Sequence, residues 1–216
     1  MFDSMEPHDL LWIGGPEALA GNGLLPCWAR EALRETPVVV VRRAACDGPH
    51  IPVGIRGSNR SERYAALVSR SSVSKRVAPE CLVAERRWRT HARAESMHAI
   101  EALEIVANRW MRSGVRWGPV GSVGFELATG SPAVNAASDL DLVIRSPQRL
   151  PRKTAEELAA SATGLVVSVD AQIETPFGGI ALLEYVHQNS SRLLMRTGNG
   201  PRLVMDPWFP RQGELA

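Results

Sequence analysis

The run GPVGSVGFELATGSPAVNAASDLDLVIR, Gly118 to Arg145, decides how the second part of the chain folds. A strand over Val115 to Val120 ends in Gly121-Ser122, a short helix follows near Phe125 to Ala128, and a second strand spans Leu140 to Ile144. Residues two apart on a strand point the same way, roughly 7 Å apart at Cα. Asp139 and Asp141 therefore share one face, while Leu140 and Leu142 pack on the other. Two carboxylates so placed can converge on one hard cation, Mg²⁺ (or Mn²⁺), which combines one or two carboxylates with substrate phosphates. At the other end, glycine lets a phosphate come close to the main chain, and the N–H groups and hydroxyl of Ser122 can donate to its oxygens.

Working outward, a helix is expected over Thr154 to Ala162 and a strand over Leu165 to Val169, closed by Asp170. A hairpin pairs Arg192 to Thr197 with Arg202 to Met205 around Gly198-Asn199-Gly200. Upstream, Met97, Ile100, Leu103, Ala107, Trp110 and Met111 recur at helical spacing up to Gly114. Alternating strands and helices predict a mixed sheet flanked by helices. Before it, Gly14-Gly15-Pro16, Gly21-Asn22-Gly23, Gly48-Pro49 and Gly54 break the chain into short segments. Strands are expected at Pro37 to Val41 and Ile51 to Ile55, and a helix from Ser61 to Val68. The basic stretch AERRWRTHARA, Ala84 to Ala94, marks the boundary. The expected organisation is a small basic α+β domain over 1–85 and a catalytic domain over 86–216.

With 216 residues, 44% hydrophobic and 22% charged, the chain can bury a sizeable core. A net charge of +2 demands neither nucleic acid nor an anionic membrane as partner. Three scattered cysteines, Cys27, Cys46 and Cys81, make neither a disulfide framework nor a zinc site. The N-terminus lacks a basic n-region, and apolar runs such as Val38 to Val41 cannot span a bilayer, so a cytoplasmic enzyme is expected. The glycines make neither a Walker A loop nor a G-x-G-x-x-G fingerprint, which excludes the usual ATPase and nicotinamide signatures.

Val120-Gly121-Ser122 followed by Asp139-Leu140-Asp141-Leu142 resembles the signature of the nucleotidyltransferase superfamily that includes polymerase β. The resemblance implies an α+β fold with a polymerase-β-like core and a catalytic pair, Asp139 and Asp141, that holds the metal. The sixteen residues 123–138 between the two halves exceed that superfamily's usual gap, and an enlarged loop around Gly130-Ser131-Pro132 would absorb them. Such enzymes often use a third carboxylate from a neighbouring strand. Asp170 is preferred here, with Glu174 on the same alternating face as the alternative.

Over nearly its whole length the chain also resembles the malonate decarboxylase holo-acyl-carrier-protein synthases, or phosphoribosyl-dephospho-CoA transferases. The resemblance rests on Pro7-His8-Asp9-Leu10-Leu11-Trp12, Pro37 to Arg43, Ile51 to Gly57, Arg60-Ser61, Arg63, Pro79-Glu80, Trp117-Gly118, Gly121-Ser122, Asp139 to Leu142 and Asp170 to Pro176. It implies transfer of a phosphoribosyl-dephospho-CoA group from 2'-(5''-triphosphoribosyl)-3'-dephospho-CoA to a serine of the apo-acyl-carrier-protein subunit, with release of pyrophosphate. Gly121, Ser122, Arg42, Arg43, Arg56 and Arg60 are the candidates for holding donor phosphates. The basic segments Arg42-Arg43, Arg56 to Arg63 and Arg86 to Arg93 are expected to include the docking site for an acidic carrier. Two other readings share these residues: transfer of a plain nucleoside monophosphate to another acceptor, and a catalytically silent carrier-binding module.

Overall fold

A computed structural model describes residues 5–20, 24–46, 48–59, 61–189 and 192–215. The chain divides into two compact units, Met1–Ala78 and Pro79–Ala216. Arg60 and the expected break at Gly21-Asn22-Gly23 lie outside the described residues.

The first unit is a six-stranded antiparallel sheet. Its strands are β1 (Leu10–Ile13), β2 (Leu19–Ala20), β3 (Val38–Val41), β4 (His50–Arg56), β5 (Arg63–Ser69) and β6 (Val73–Val77), in the order β2-β5-β4-β3-β1-β6. The α-helix α1 (Cys27–Glu35) buries Ala29 and Leu33 among Leu11, Val39, Val53 and Val68. The helix expected over Ser61 to Val68 is instead β5, paired with β4 at seven consecutive positions from His50↔Ser69 to Arg56↔Arg63. The Ser61-Glu62 signal caps a turn. Glu62 accepts bonds from the Ser58 N–H and hydroxyl, both at 2.9 Å, and Tyr64, Ala66 and Val68 then alternate toward the core as β-branched and aromatic residues do on a pleated strand.

The second unit carries a mixed sheet of β7 (Arg116–Pro119), β8 (Leu140–Arg145), β9 (Val169–Glu174), β10 (Gly179–Ala181), β11 (Leu193–Thr197) and β12 (Gly200–Val204), in the order β12-β11-β10-β9-β8-β7. Among the described residues only β8 and β9 pair in parallel. Its helices are α2 (Pro79–Ala84), α3 (His98–Trp110), α4 (Gly121–Thr129), α5 (Arg152–Ser161), α6 (Leu182–His187) and α7 (Gln212–Leu215). The fold is therefore α+β, with one antiparallel and one mixed sheet.

Register separates the two faces of that mixed sheet. Trp117 pairs with Ile144 and meets Trp110 edge to face at 5.0 Å, so α3 covers the side that bears Leu142 and Ile144. α5 is tied to α3 there, because the Trp110 indole donates to Ser161 Oγ at 2.9 Å. On the opposite side Gly118 lies against Pro79 so closely that an added Cβ would come within 2.7 Å of the proline Cβ, which lets α2 cover β7. The guanidiniums of Arg116 and Arg145 both reach Glu80 Oε1 at 2.9 Å, holding α2 in place. That side also carries Asp141, two positions before Val143 and four before Arg145.

Candidate active site

α4 begins where β7 ends. Gly121, its first residue, has φ +60°, and an added Cβ would overlap Oδ2 of Asp141 while standing 2.9 Å from its Cγ and 3.1 Å from its Cβ. The main chain locks the same contact, since the Val120 N–H donates to the Asp141 carbonyl at 2.9 Å. The glycine-serine turn and the aspartate strand, twenty residues apart in sequence, are thus one place in the molecule. Positive φ and the absent side chain are both required there, and only glycine supplies them without strain.

Asp139 stands one residue before β8 and is half-buried, as is Asp141. Asp170 is exposed and pairs in register with Asp141 across the parallel β8–β9 ladder, about 4.8 Å away at the main chain. The strand expected at Leu165 to Val169 starts only at Val169, so Asp170 sits inside β9 at its open end. Glu174 falls elsewhere. It is buried in register with Arg145 and accepts a bond from the Gln172 amide, whose Oε1 in turn accepts from Arg196 at 3.0 Å. Ser122 is 8% exposed, so the Gly121 main chain is what the first turn of α4 offers to solvent.

The arginines proposed for phosphates belong to the first unit. Arg42 follows β3, exposed, with its side chain laid over Gly54, and it lines a groove of about 630 Å³ with Arg30, Tyr64 and Leu25. Arg43 and Arg56 are half-buried, and Arg56 faces Arg63 across β4–β5.

Glu126 is the residue that sequence reading missed. It is fully buried on α4, and its carboxylate accepts the Ala133 and Val134 N–H groups at 2.7 Å each. Arg93 Nη1 reaches both its oxygens at 2.9 and 3.0 Å, and His91 Nε2 lies 2.8 Å from Oε1. Burial pushes this carboxyl up, but the two amides, His91 and Arg93 together bring it below the ordinary glutamate range. Glu126 thereby ties the long loop that leads to Asp139 onto the helix that starts at Gly121. The signal was a lone acid inside the apolar run GSVGFELA, with cations upstream to answer it.

Those cations include part of the basic stretch expected to dock a carrier. Arg93 is held by Glu126, and Arg89 by Glu104, which also receives the indole N–H of buried Trp88. The segment is folded onto its own unit by these bonds.

Among the described residues no three His, Cys, Asp or Glu side chains are grouped so as to hold a metal ion by themselves. The donor set nevertheless suits Mg²⁺, which takes one or two carboxylates and completes its octahedron with water and phosphate oxygens. Asp141, beside a main-chain recess that a Cβ would fill, and Asp139, two residues earlier, could provide such a pair.

Comparison with known proteins defines the class first: both units match domains of one transferase family. Residues 6–79 match the family described as the phosphoribosyl-dephospho-CoA transferase MdcG N-terminal domain, and residues 85–207 match its C-terminal domain. Similar curated proteins named phosphoribosyl-dephospho-CoA transferase come from Pseudomonas putida (40% identical, 94% of each chain covered), Klebsiella pneumoniae strain 342 (37%, 96% of this chain and 98% of the relative) and Azotobacter vinelandii (38%, 94% of each). The chain belongs to the phosphoribosyl-dephospho-CoA transferase MdcG family, and it is an enzyme. No solved structure matches it. No helix among the described residues is long and apolar enough to cross a membrane.

Proposed function

We propose that this transferase moves the phosphoribosyl-dephospho-CoA group from its triphosphate donor to a serine of the malonate decarboxylase acyl-carrier protein, at the sheet face that bears Gly121, Asp139, Asp141 and Asp170. The observation that carries this placement is the seating of Gly121 directly beneath the Asp141 carboxylate. We read the second unit as a polymerase-β-like nucleotidyltransferase core, because a strand, a glycine-led helix and an aspartate-bearing strand meet at one point.

In the reaction the serine oxygen attacks the α-phosphorus in line, a new P–O bond forms, the bond to the β-phosphate bridge breaks, and pyrophosphate departs. Asp170 is our candidate for accepting the serine proton, a reading supported by its exposure and its register beside Asp141. Main-chain N–H groups at the start of α4 orient the triphosphate oxygens. Asp139 and Asp141 would hold Mg²⁺ or Mn²⁺, which supplies neutralisation of the phosphate charge. By their charge, Arg42, Arg43, Arg56 and Arg60 are our candidates for binding donor phosphates.

The test is stoichiometric. Pyrophosphate should appear one for one with modified carrier, and a donor that lacks the pantetheine arm should be a poor substitute. Release of single phosphate would contradict the assigned chemistry. Equal use of a plain nucleoside triphosphate would favour the simpler nucleotidyl transfer.

A further inference from the structure

We infer that the outward side of the β11–β12 hairpin is the docking surface for the acceptor protein, and that it takes an apolar patch flanked by carboxylates. This rests on the transfer reading above, since it names the surface through which the acceptor reaches the same site.

The Arg196 guanidinium donates to Gln172 Oε1 at 3.0 Å, so Arg196 projects on the side of β9 that carries Gln172. Gln172 alternates with Asp170, and Asp170 is the register neighbour of Asp141. Leu194 is two residues from Arg196 and pairs directly with Leu203. Leu194 and Leu203 therefore lie on the same sheet face as the reaction carboxylates.

That face is open at the hairpin. Leu194 is 44% exposed and Leu203 53%, while Leu193, Met195 and Val204 on the other side are buried. A solvated hairpin normally turns polar side chains outward. A directly paired, exposed leucine couple on the face that carries the reaction centre is instead the kind of patch that marks an interaction site.

Charge identifies the occupant. Arg192 and Arg196 alternate with Leu194 on the outward side, Arg202 lies opposite buried Met195 on the other side, and from Arg192 to Met205 the chain carries no Asp or Glu. An apolar centre rimmed by cations selects an apolar patch rimmed by carboxylates, and rim charges of this kind set association rate and orientation. The acceptor must bring a serine hydroxyl to the open end of β8 and β9, and a protein seated on β11–β12 shares that face. The basic stretch upstream of α3 is a weaker candidate, because Arg89 and Arg93 are bound to Glu104 and Glu126.

The experiment uses the full chain, the triphosphate donor and the apo-carrier subunit of malonate decarboxylase. Leu194→Ser with Leu203→Ser should raise KM for the carrier about tenfold, the loss expected when two half-exposed leucines no longer become covered. KM for the donor and kcat at saturating carrier should stay within about twofold, because neither leucine belongs to the reaction site. Arg192→Glu should raise carrier KM about threefold and reduce its salt dependence. Circular dichroism and thermal unfolding check that the variants fold, with Leu194→Thr and Leu203→Thr as strand-compatible replacements if the serines do not. An unchanged carrier KM overturns the inference. So does an equal rise in donor KM, which would put the donor's pantetheine arm on the patch, or loss of self-association with carrier KM unchanged, which would make it an interface between copies. Failure of the wild type to modify this carrier at all would instead sink the transfer reading itself.

Discussion

Gly121→Ala separates the reaction site from the fold more cleanly than any other single change. Ordinary contact between a Cβ and a carbon begins near 3.4 Å, whereas the new methyl would stand 2.9 Å from Asp141 Cγ and 3.1 Å from Asp141 Cβ, and would overlap Oδ2. The two carbons must give by about 0.5 and 0.3 Å and the overlapped Oδ2 by about 1 Å, a displacement that can cost roughly 10²-fold in rate at a positioned group. The φ of +60° adds about 1 kcal/mol of main-chain strain for a residue with a Cβ. Because Asp141 can move toward solvent, global stability should fall by only that order, a drop in Tm of a few degrees. Transfer should therefore fall by at least about 10²-fold, read by intact mass of the carrier over time, with Tm nearly kept. A Gly121→Ala enzyme with near-normal kcat would refute the claim that the glycine turn and Asp141 form one site.

Three further expectations follow from the same geometry. Glu126→Gln removes the charge that binds Arg93, His91 and two main-chain amides, so it should cost about 3 kcal/mol in urea unfolding and lower kcat more than it raises KM; an unaltered kcat would leave Glu126 a purely structural residue. Asp170→Asn should slow transfer with little change in Tm, whereas Glu174→Gln, buried in register with Arg145, should lower Tm and spare transfer in the residual folded enzyme; the reverse pattern would exchange their roles. The hydrogen bond from Arg89, opposed by burial and helped by Trp88, holds the Glu104 carboxyl down at about 2, against an ordinary value of 4.5. A carboxyl depressed in the fold contributes stability that is present above its unfolded value and lost as pH falls through its folded one. Acid titration should therefore weaken the second unit between pH 4.5 and about 2, and Glu104→Gln should flatten that decline.

Much of the second unit was legible because local signals and long-range contacts agree there. Asp139 to Leu142 alternates polar and apolar, and β8 follows that alternation with Leu140 and Leu142 buried. The Gly-Asn-Gly turn lies at the tip of the hairpin between β11 and β12. In the first unit the reading failed where a local cue was ambiguous: Ser61-Glu62 looks the same before a helix or at a turn, and only the pairing partner β4 decides for a strand. β9 starts later than expected because the apolar pattern of Leu165 to Val169 cannot say where the parallel pairing with Leu140 begins. At the site, Gly121 and Asp141 could be named from composition and spacing, but the contact between them could not. Glu126 and Arg93 were invisible as a pair, since 33 residues separate them and nothing local distinguishes a clamped arginine from a solvated one.

The most direct test of the account compares intact carrier mass after incubation with the triphosphate donor, Mg²⁺, and either the wild-type enzyme or Asp141→Asn. The wild type should add one phosphoribosyl-dephospho-CoA group per carrier, and Asp141→Asn, with its fold checked by circular dichroism, should be slower by at least about 10²-fold, the scale for losing one electrostatic stabiliser. Modification by Asp141→Asn at the wild-type rate would contradict the placement of the reaction at this aspartate.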